Sequence, residues 1–204
     1  MNRVILPAEL IAISNSHKTA GNSQRIFIDS AMSAVSQFSD NQDLSGESWA
    51  NIKTQLLDYQ TIFKGMLCAL EEIDDDCERL QVGCGDEDLI ENEIVDKIEQ
   101  LQEVNRRYQE GIDQVLCAVK NNPLVALNPL TNLTIVNSGA AIASNAELIQ
   151  LLEGKLQKIE EIEANTAGLF STAAETLSLV EQGIAFIGAA WNGSGFTFNQ
   201  DTSW

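Results

Sequence analysis

Apolar residues recur at alternating steps of three and four along most of the chain, and this spacing predicts long amphipathic helices. The strongest stripe lies in the second predicted helix, and a stripe of this length has to be buried against other helices. Its members are Trp49, Ile52, Leu56, Tyr59, Phe63, Met66, Leu70, Ile73, Cys77 and Leu80. The predicted helices cover residues 7–38, 47–82, 88–120 and 144–190.

Residues 121–143 interrupt this pattern, because they are largely apolar and contain Pro123 and Pro129. We expect a hydrophobic crossover that packs against the helices. A capping box made by Ser144 and Glu147 is predicted to open the fourth helix. That helix is expected to be weakest, and to kink or stop, at the Asn-Thr-Ala-Gly sequence or at Gly183.

The residue usage favours helix over sheet, since Leu, Ile and Ala are the common apolar residues and aromatic residues make up only 6% of the chain. We therefore expect an all-α fold, an elongated antiparallel bundle of four or so long coiled-coil-like helices. A single domain is expected over residues 1–190. Residues 191–204 lack a helical period and are expected to form a tail or the start of a linker.

The chain is strongly acidic, with 12 basic residues against 30 acidic ones and a net charge of −18. Such a charge repels nucleic acid and anionic lipid, so neither is an expected partner. No Sec signal pattern opens the chain. The longest apolar run, residues 183–191, is too short to span a bilayer, so no stable membrane insertion is expected.

Little in the sequence indicates catalysis. The chain has one histidine and none of the common nucleophile, phosphate-loop, dinucleotide or metal-ligand motifs, so we expect no enzyme activity, no cofactor and no metal. Two acidic clusters, at 71–78 and 86–93, lack the spacing of an EF-hand. A solvated acidic surface is the favoured interpretation, with a cation site as the alternative.

The four cysteines, Cys68, Cys77, Cys84 and Cys117, do not form a metal-binding pattern. Free and mostly buried thiols are the favoured interpretation. A bridge between Cys77 and Cys84 remains open.

A Leu-Ser-Gly tripeptide precedes the second helix. With Ser45 as the N-cap, Gly46 is the first helical residue, and Leu44 and Trp49 occupy the positions of a hydrophobic staple. A glycine here also allows the preceding helix to cross closely. The tripeptide is therefore predicted to start the second helix and to fix the angle between helices one and two.

The ordered features of the chain resemble the LXG domain of polymorphic toxins that Gram-positive bacteria export through type VII secretion. The features are a first helix of about thirty residues, Leu44-Ser45-Gly46 with Trp49, the acidic segment 84–102, and the segment 155–187. The resemblance covers residues 5–190. In the family a toxin domain follows this region, and none follows residue 190 here. We therefore expect a fragment, with an unusual short member of the family as the alternative.

The resemblance implies a non-catalytic targeting module of an antibacterial toxin used in interbacterial competition. Such a module binds small α-helical helper proteins of the W-x-G type and presents a composite signal to the type VII secretion ATPase. It is synthesised in the cytoplasm and secreted by a Sec-independent route.

One face of the first helix is our hypothesised helper-binding surface, because its ends are apolar and its middle is polar or small. The alternative is that this face packs on helices two and four. Its residues are Ile13, His17, Ala20, Gln24, Phe27 and Ala31.

Two other functions remain open at this point. A membrane-active, pore-forming helical protein also uses long amphipathic helices, although the charge and the short apolar segments count against it. The second alternative is a structural coiled-coil protein that only self-associates.

Overall fold

The computed structural model describes residues 2–189 of the chain. Helices account for nearly all of this range, and the prediction of an all-α fold with long helices is confirmed. The elements along residues 2–189 are β1 Val4–Ile5, α1 Pro7–Asp40, α2 Glu47–Gly83, β2 Leu89–Ile90, α3 Glu91–Asn121, a 3-10 helix Pro123–Leu127, α4 Pro129–Thr166 and α5 Ser171–Ala189. The predicted tail at 191–204 lies outside the described residues.

The chain forms two compact units, where the sequence suggests one domain over residues 1–190. Among the described residues, the α3–α4 unit contains residues 2–6 together with Asp86–Asn165. The α1–α2–α5 unit contains Pro7–Gly85 together with residues 166–189. Each unit has its own cluster of buried apolar side chains, because each set of helices buries its stripes internally.

In the α1–α2–α5 unit, α1 and α5 both pack against α2. Lys18 and Ser36, near opposite ends of α1, bond Glu78 and Gln60 of α2, so α1 and α2 are antiparallel. The helix α5 also runs antiparallel to α2. The buried cluster between these two helices contains Ile62, Val180 and Ile187, with Tyr59 and Met66 packed against it.

The most buried positions of α2 are spaced by seven residues and lie beside the predicted stripe. They include Gln55, Ile62, Ala69 and Asp76, whereas most residues of the stripe itself are half-buried. A helix that lies between two others buries a wider arc than a single stripe, and its deepest positions face the partner helices. On α1 the buried positions are Pro7, Ser14 and Gly21.

In the α3–α4 unit, α3 and α4 pack antiparallel. Near one end the buried cluster joins Ile94 of α3 to Ile159 of α4, and further along Asn145 donates to Asn105 at 2.8 Å. The cluster consists of Leu89, Ile94, Ile98, Ile159 and Ile162. The strands β1 and β2 pair antiparallel beside it, with Ile5 opposite Leu89.

Arg3 fixes β1 to both helices of this unit. Its guanidinium lies 2.6 Å from Glu91 of α3 and 3.0 Å from Glu163 of α4. Hydrogen bonds from the side chain and the backbone of Arg3 lower the pKa of Glu91 to about 2. The Glu91 carboxylate therefore stays charged and bonded over the whole neutral range.

The predicted crossover at 121–143 is wrong, because α4 already begins at Pro129 and runs through Ser144. The Asn128 side chain accepts a hydrogen bond from the Leu130 N–H at 3.0 Å, which caps the new helix. A proline at the first position of a helix loses no hydrogen bond. The prolines therefore start helical segments here instead of interrupting them.

The predicted helix 144–190 is two helices. The chain leaves α4 at Thr166, and Gly168 has a φ of 113° and Phe170 a φ of 67°. Positive φ at two positions turns the chain before α5 begins at Ser171. The break falls at the Asn-Thr-Ala-Gly sequence, and Gly183 lies inside α5.

The start of α2 differs from the predicted capping device. Gly46, not Ser45, is the N-cap, and no side chain caps the helix. Gly46 has a φ of 108° and a ψ of 165°, a conformation that is open almost only to glycine. A Cβ at Gly46 would meet nothing within 4 Å, so the glycine serves the backbone turn and not a close helix crossing.

Trp49 packs on the end of α1. Its ring centroid lies 5.9 Å from that of Phe38, while Leu44 is half-buried in the connection between α1 and α2. Lys53 of α2 donates to the Asn41 carbonyl in the same connection. These contacts hold the connection at both of its ends.

Candidate functional site

An open apolar groove of about 390 Å³ lies between α1 and α5, and α2 forms its floor. It exists because α1 and α5 pack on different sides of α2, which leaves the C-terminal end of the α2 stripe between them. The groove is lined by Ile13, Ser14, His17, Ile73, Cys77, Leu80, Phe170, Ala173, Ala174 and Leu177.

The hypothesised helper-binding residues lie on the side of α1 that adjoins this groove. Ile13 and His17 line the groove itself. Ala20, Gln24 and Phe27 follow along the same face and are exposed, and Ala31 is half-buried. Phe27 is 76% exposed, so this face is not the one that packs on α2. The packing positions of α1 are Ser14 and Gly21, each one residue further along the helix than Ile13 and Ala20.

Ser14 is a residue of the groove that sequence reasoning missed. Its side chain is 1% exposed, and its hydroxyl has no hydrogen-bond partner in the described part of the chain. A buried hydroxyl without a partner costs about 1–3 kcal/mol.

Phe170 forms one wall of the groove and is held there by Asp76 of α2. Asp76 is 7% exposed, and its carboxylate accepts the backbone N–H of Phe170 at 2.6 Å. Charged acceptors make the stronger class of hydrogen bond. This bond fixes a residue whose backbone has an unfavourable positive φ.

The acidic clusters are not simply solvated, and this expectation is wrong in part. In the first cluster, three carboxylates join neighbouring helices to α2. Asp74 lies 2.8 Å from Arg25 of α1, Glu78 lies 2.8 Å from Lys18, and Glu72 accepts the Thr176 hydroxyl of α5 at 2.9 Å. The bond with Lys18 lowers the pKa of Glu78 and raises that of Lys18.

The second acidic cluster has the same role in the α3–α4 unit. Glu91 bonds Arg3, and Glu87 pairs with Lys155 of α4. Within residues 2–189, no group of three or more His, Cys, Asp or Glu side chains is placed to hold a metal ion. Part of each cluster, Glu87 and Glu91 in this one, therefore joins neighbouring elements.

All four cysteines are free thiols, so the alternative of a Cys77–Cys84 bridge is wrong. Cys77 and Cys84 are buried, whereas Cys68 and Cys117 are exposed, so burial holds for only two of the four. Cys77 lines the groove as an apolar residue of its floor.

Comparison of the chain with protein-family models, with curated proteins and with solved structures finds no match. Among the helices of residues 2–189, none has the length and hydropathy needed to cross a bilayer. The groove itself is suited to apolar side chains, and one wall contains the buried Ser14 hydroxyl.

Proposed function

We propose that this chain is a non-catalytic, secretion-targeting module of the LXG type, exported by the type VII system of a Gram-positive bacterium. In this proposal it carries an antibacterial toxin to the secretion ATPase by a Sec-independent route. Small α-helical helper proteins bind the module and complete the signal. The ordered sequence features and the groove of the α1–α2–α5 unit support the proposal.

The observation that carries the proposal is an apolar groove bordered by two long helices. An amphipathic helix binds such a groove by placing apolar side chains at helical spacing onto its floor. The floor offers Ile73 and Leu80, and the walls offer Ile13 and Leu177. A helper helix that lies here buries apolar surface that the chain alone leaves in contact with water.

The exposed face of α1 extends this surface beyond the groove. Phe27 lies about two turns beyond Ala20 on the same side of α1 and is 76% exposed. Aromatic side chains of this kind commonly supply the largest share of binding energy in an interface, and their truncation costs about 2 kcal/mol or more. Phe27 is therefore the expected anchor for a helper that continues along α1.

The test is co-purification of the chain with the small helical proteins encoded beside its gene. We expect a stable complex with the wild type, and its loss in His17→Glu and in Phe27→Glu. Ile26→Glu is the matched control, since Ile26 is 68% exposed on the same helix but points away from the groove side. Circular dichroism checks that each variant keeps its helices.

Two results would contradict the proposal. One is the absence of a complex between the wild type and any neighbouring small helical protein. The other is an equal loss of binding in Ile26→Glu, which would contradict the assignment of helper binding to the groove side of α1. Release of dye from liposomes by the wild-type chain would favour the membrane-active alternative instead.

A further inference from the structure

Half of the α3–α4 hairpin carries no net charge, although the chain carries −18. Residues 103–146 contain three acidic and three basic residues, and the whole excess of negative charge lies outside them. The stretch from Asn121 to Ala146 has no charged residue at all. This part of the α3–α4 unit is therefore electrically unlike the rest of the chain.

The few charges at the border of this region neutralise each other on α3. Glu103 lies 2.8 Å from Arg106 and 2.9 Å from Arg107, and Arg106 also pairs with Glu110. Hydrogen bonds from both arginines lower the pKa of Glu103 to about 2. The pairs therefore remain charged and balanced at neutral pH, and the region presents no strong field of either sign.

Large apolar side chains are exposed along the same region at every third position. They lie on the 3-10 helix and the first turns of α4, where residues three apart are neighbours on the surface. They are Leu124, Leu127, Leu130, Leu133 and Val136, with exposures between 53% and 77%. We call these five residues the neutral apolar surface. A cluster of exposed large apolar side chains commonly marks an interaction site.

We propose that the neutral apolar surface joins two copies of this chain. Elsewhere two copies repel each other, because each carries a large negative charge and the Debye length is about 8 Å at physiological salt. Residues 103–146 carry no net charge, so this repulsion is weakest there and opposes apolar burial least. A basic partner protein would gain more from the acidic surfaces and has no electrostatic reason to choose this one.

The polar residues among these leucines are suited to a symmetric contact. Asn128, Asn132 and Asn137 are exposed. Asn128 accepts the Leu130 N–H and Asn132 donates to the Ala126 carbonyl. An amide side chain has two donors and an acceptor with two lone pairs, so each asparagine keeps further bonding capacity. In a two-fold symmetric contact, a residue on the axis lies against the same residue of the second copy, and any other residue i contacts a residue j while j contacts i. Asparagine can satisfy such a pairing, as it does in coiled-coil dimers, whereas a charged side chain would meet a like charge.

The test is sedimentation equilibrium of the full chain over a range of concentrations. We expect a dimer with twice the monomer mass of 22.3 kDa. Leu127→Glu and the uncharged Leu130→Ser are expected to weaken dimerisation at least about tenfold, because each removes exposed apolar surface. Ile26→Glu in α1 is the control, since it also replaces an exposed apolar residue with a charge but lies outside the surface.

Salt provides a second and independent readout. Raising the salt concentration is expected to strengthen the dimer, since it screens the repulsion between the acidic parts of the two copies and leaves apolar burial intact. A monomer at every concentration and salt would overturn the proposal. So would a dimer that is unaffected by both leucine variants, or a monomer that uses this surface to bind neutral phosphatidylcholine vesicles.

Discussion

At the scale of single residues, the backbone of Gly46 explains the glycine of the tripeptide. Its φ of 108° and ψ of 165° lie in a region that a Cβ makes strained, although the space around it is open. Gly46→Ala is therefore expected to destabilise the protein by about 1–3 kcal/mol. Urea unfolding followed by circular dichroism measures the effect.

The control for this substitution is Gly154→Ala in the middle of α4. Its Cβ would also meet nothing within 4 Å, but the backbone there is helical. Alanine is expected to stabilise that helix by up to about 1 kcal/mol. Equal changes in the free energy of unfolding for the two substitutions would contradict the proposed backbone strain at Gly46.

Asp76 is a second residue with a testable role, since its carboxylate accepts the Phe170 N–H as well as Arg79 of its own helix. Asp76→Ala removes a charged acceptor from the partly buried Phe170 N–H, which is expected to cost about 1–3 kcal/mol. Asp75→Ala is the control, because Asp75 is the exposed neighbour in the same acidic run. Chemical denaturation is expected to show a change of under about 0.5 kcal/mol for the control.

At the scale of helices, the sequence predicted α1, α2 and α3 to within a few residues, since long regular stripes define those helices. It failed at the start of α4, because Pro129 was predicted to interrupt the helical pattern but is the first residue of the helix, with Asn128 as its cap. A proline can end a helix or stand at its first position, and the residues after it decide which of the two occurs.

The contact between α2 and α5 depends on Gly65. A Cβ at Gly65 would lie 2.8 Å from Cγ2 of Val180, a stiff β-branched side chain that is buried. Gly65→Ala is expected to destabilise the protein by about 1–3 kcal/mol through overpacking, partly offset by its better helix propensity. In a Val180→Ala background the same substitution is expected to be neutral or stabilising. A double-mutant cycle in urea measures this coupling, and purely additive effects would contradict the close contact.

The helix α1 is held on α2 in a different way. Its buried positions are small, and its contacts with α2 include the Lys18–Glu78 and Arg25–Asp74 pairs. Ion pairs at the surface contribute little to stability, and salt screens them. Amide hydrogen exchange in α1 is therefore expected to be faster than in the middle of α2, and to accelerate in high salt. Equal protection of both helices at every salt concentration would contradict this account.

At the scale of the whole molecule, the candidate site shows where sequence reasoning ends. Ile13 and His17 were predicted, because they belong to a periodic face of one helix. Ser14 and Phe170 were not. Their places depend on which side of α1 meets α2 and on the turn between α4 and α5, which brings together residues far apart in sequence. A helical stripe specifies that a face is buried and does not specify its partner.

Stability against acid tests the ion pair that fixes the N-terminal strand. The pKa of Glu91 is about 2 in the folded protein and about 4.3 in an unfolded chain, so the bond with Arg3 stabilises the fold above the higher value. That contribution is expected to decline as pH falls from about 5 to about 2, because the unfolded chain binds the proton first.

The measurement compares thermal unfolding of the wild type with Glu91→Gln at a series of pH values. The variant is expected to be less stable at pH 7 and to approach the wild type below about pH 2, where the wild-type carboxylate is also neutral. Glu93→Gln is the control, since Glu93 is an exposed acidic residue in the same first turn of α3. Its difference from the wild type is expected to stay small at every pH. If the difference in stability between Glu91→Gln and the wild type stayed constant across the pH series, the loss would come from disturbed packing and not from the charge of Glu91.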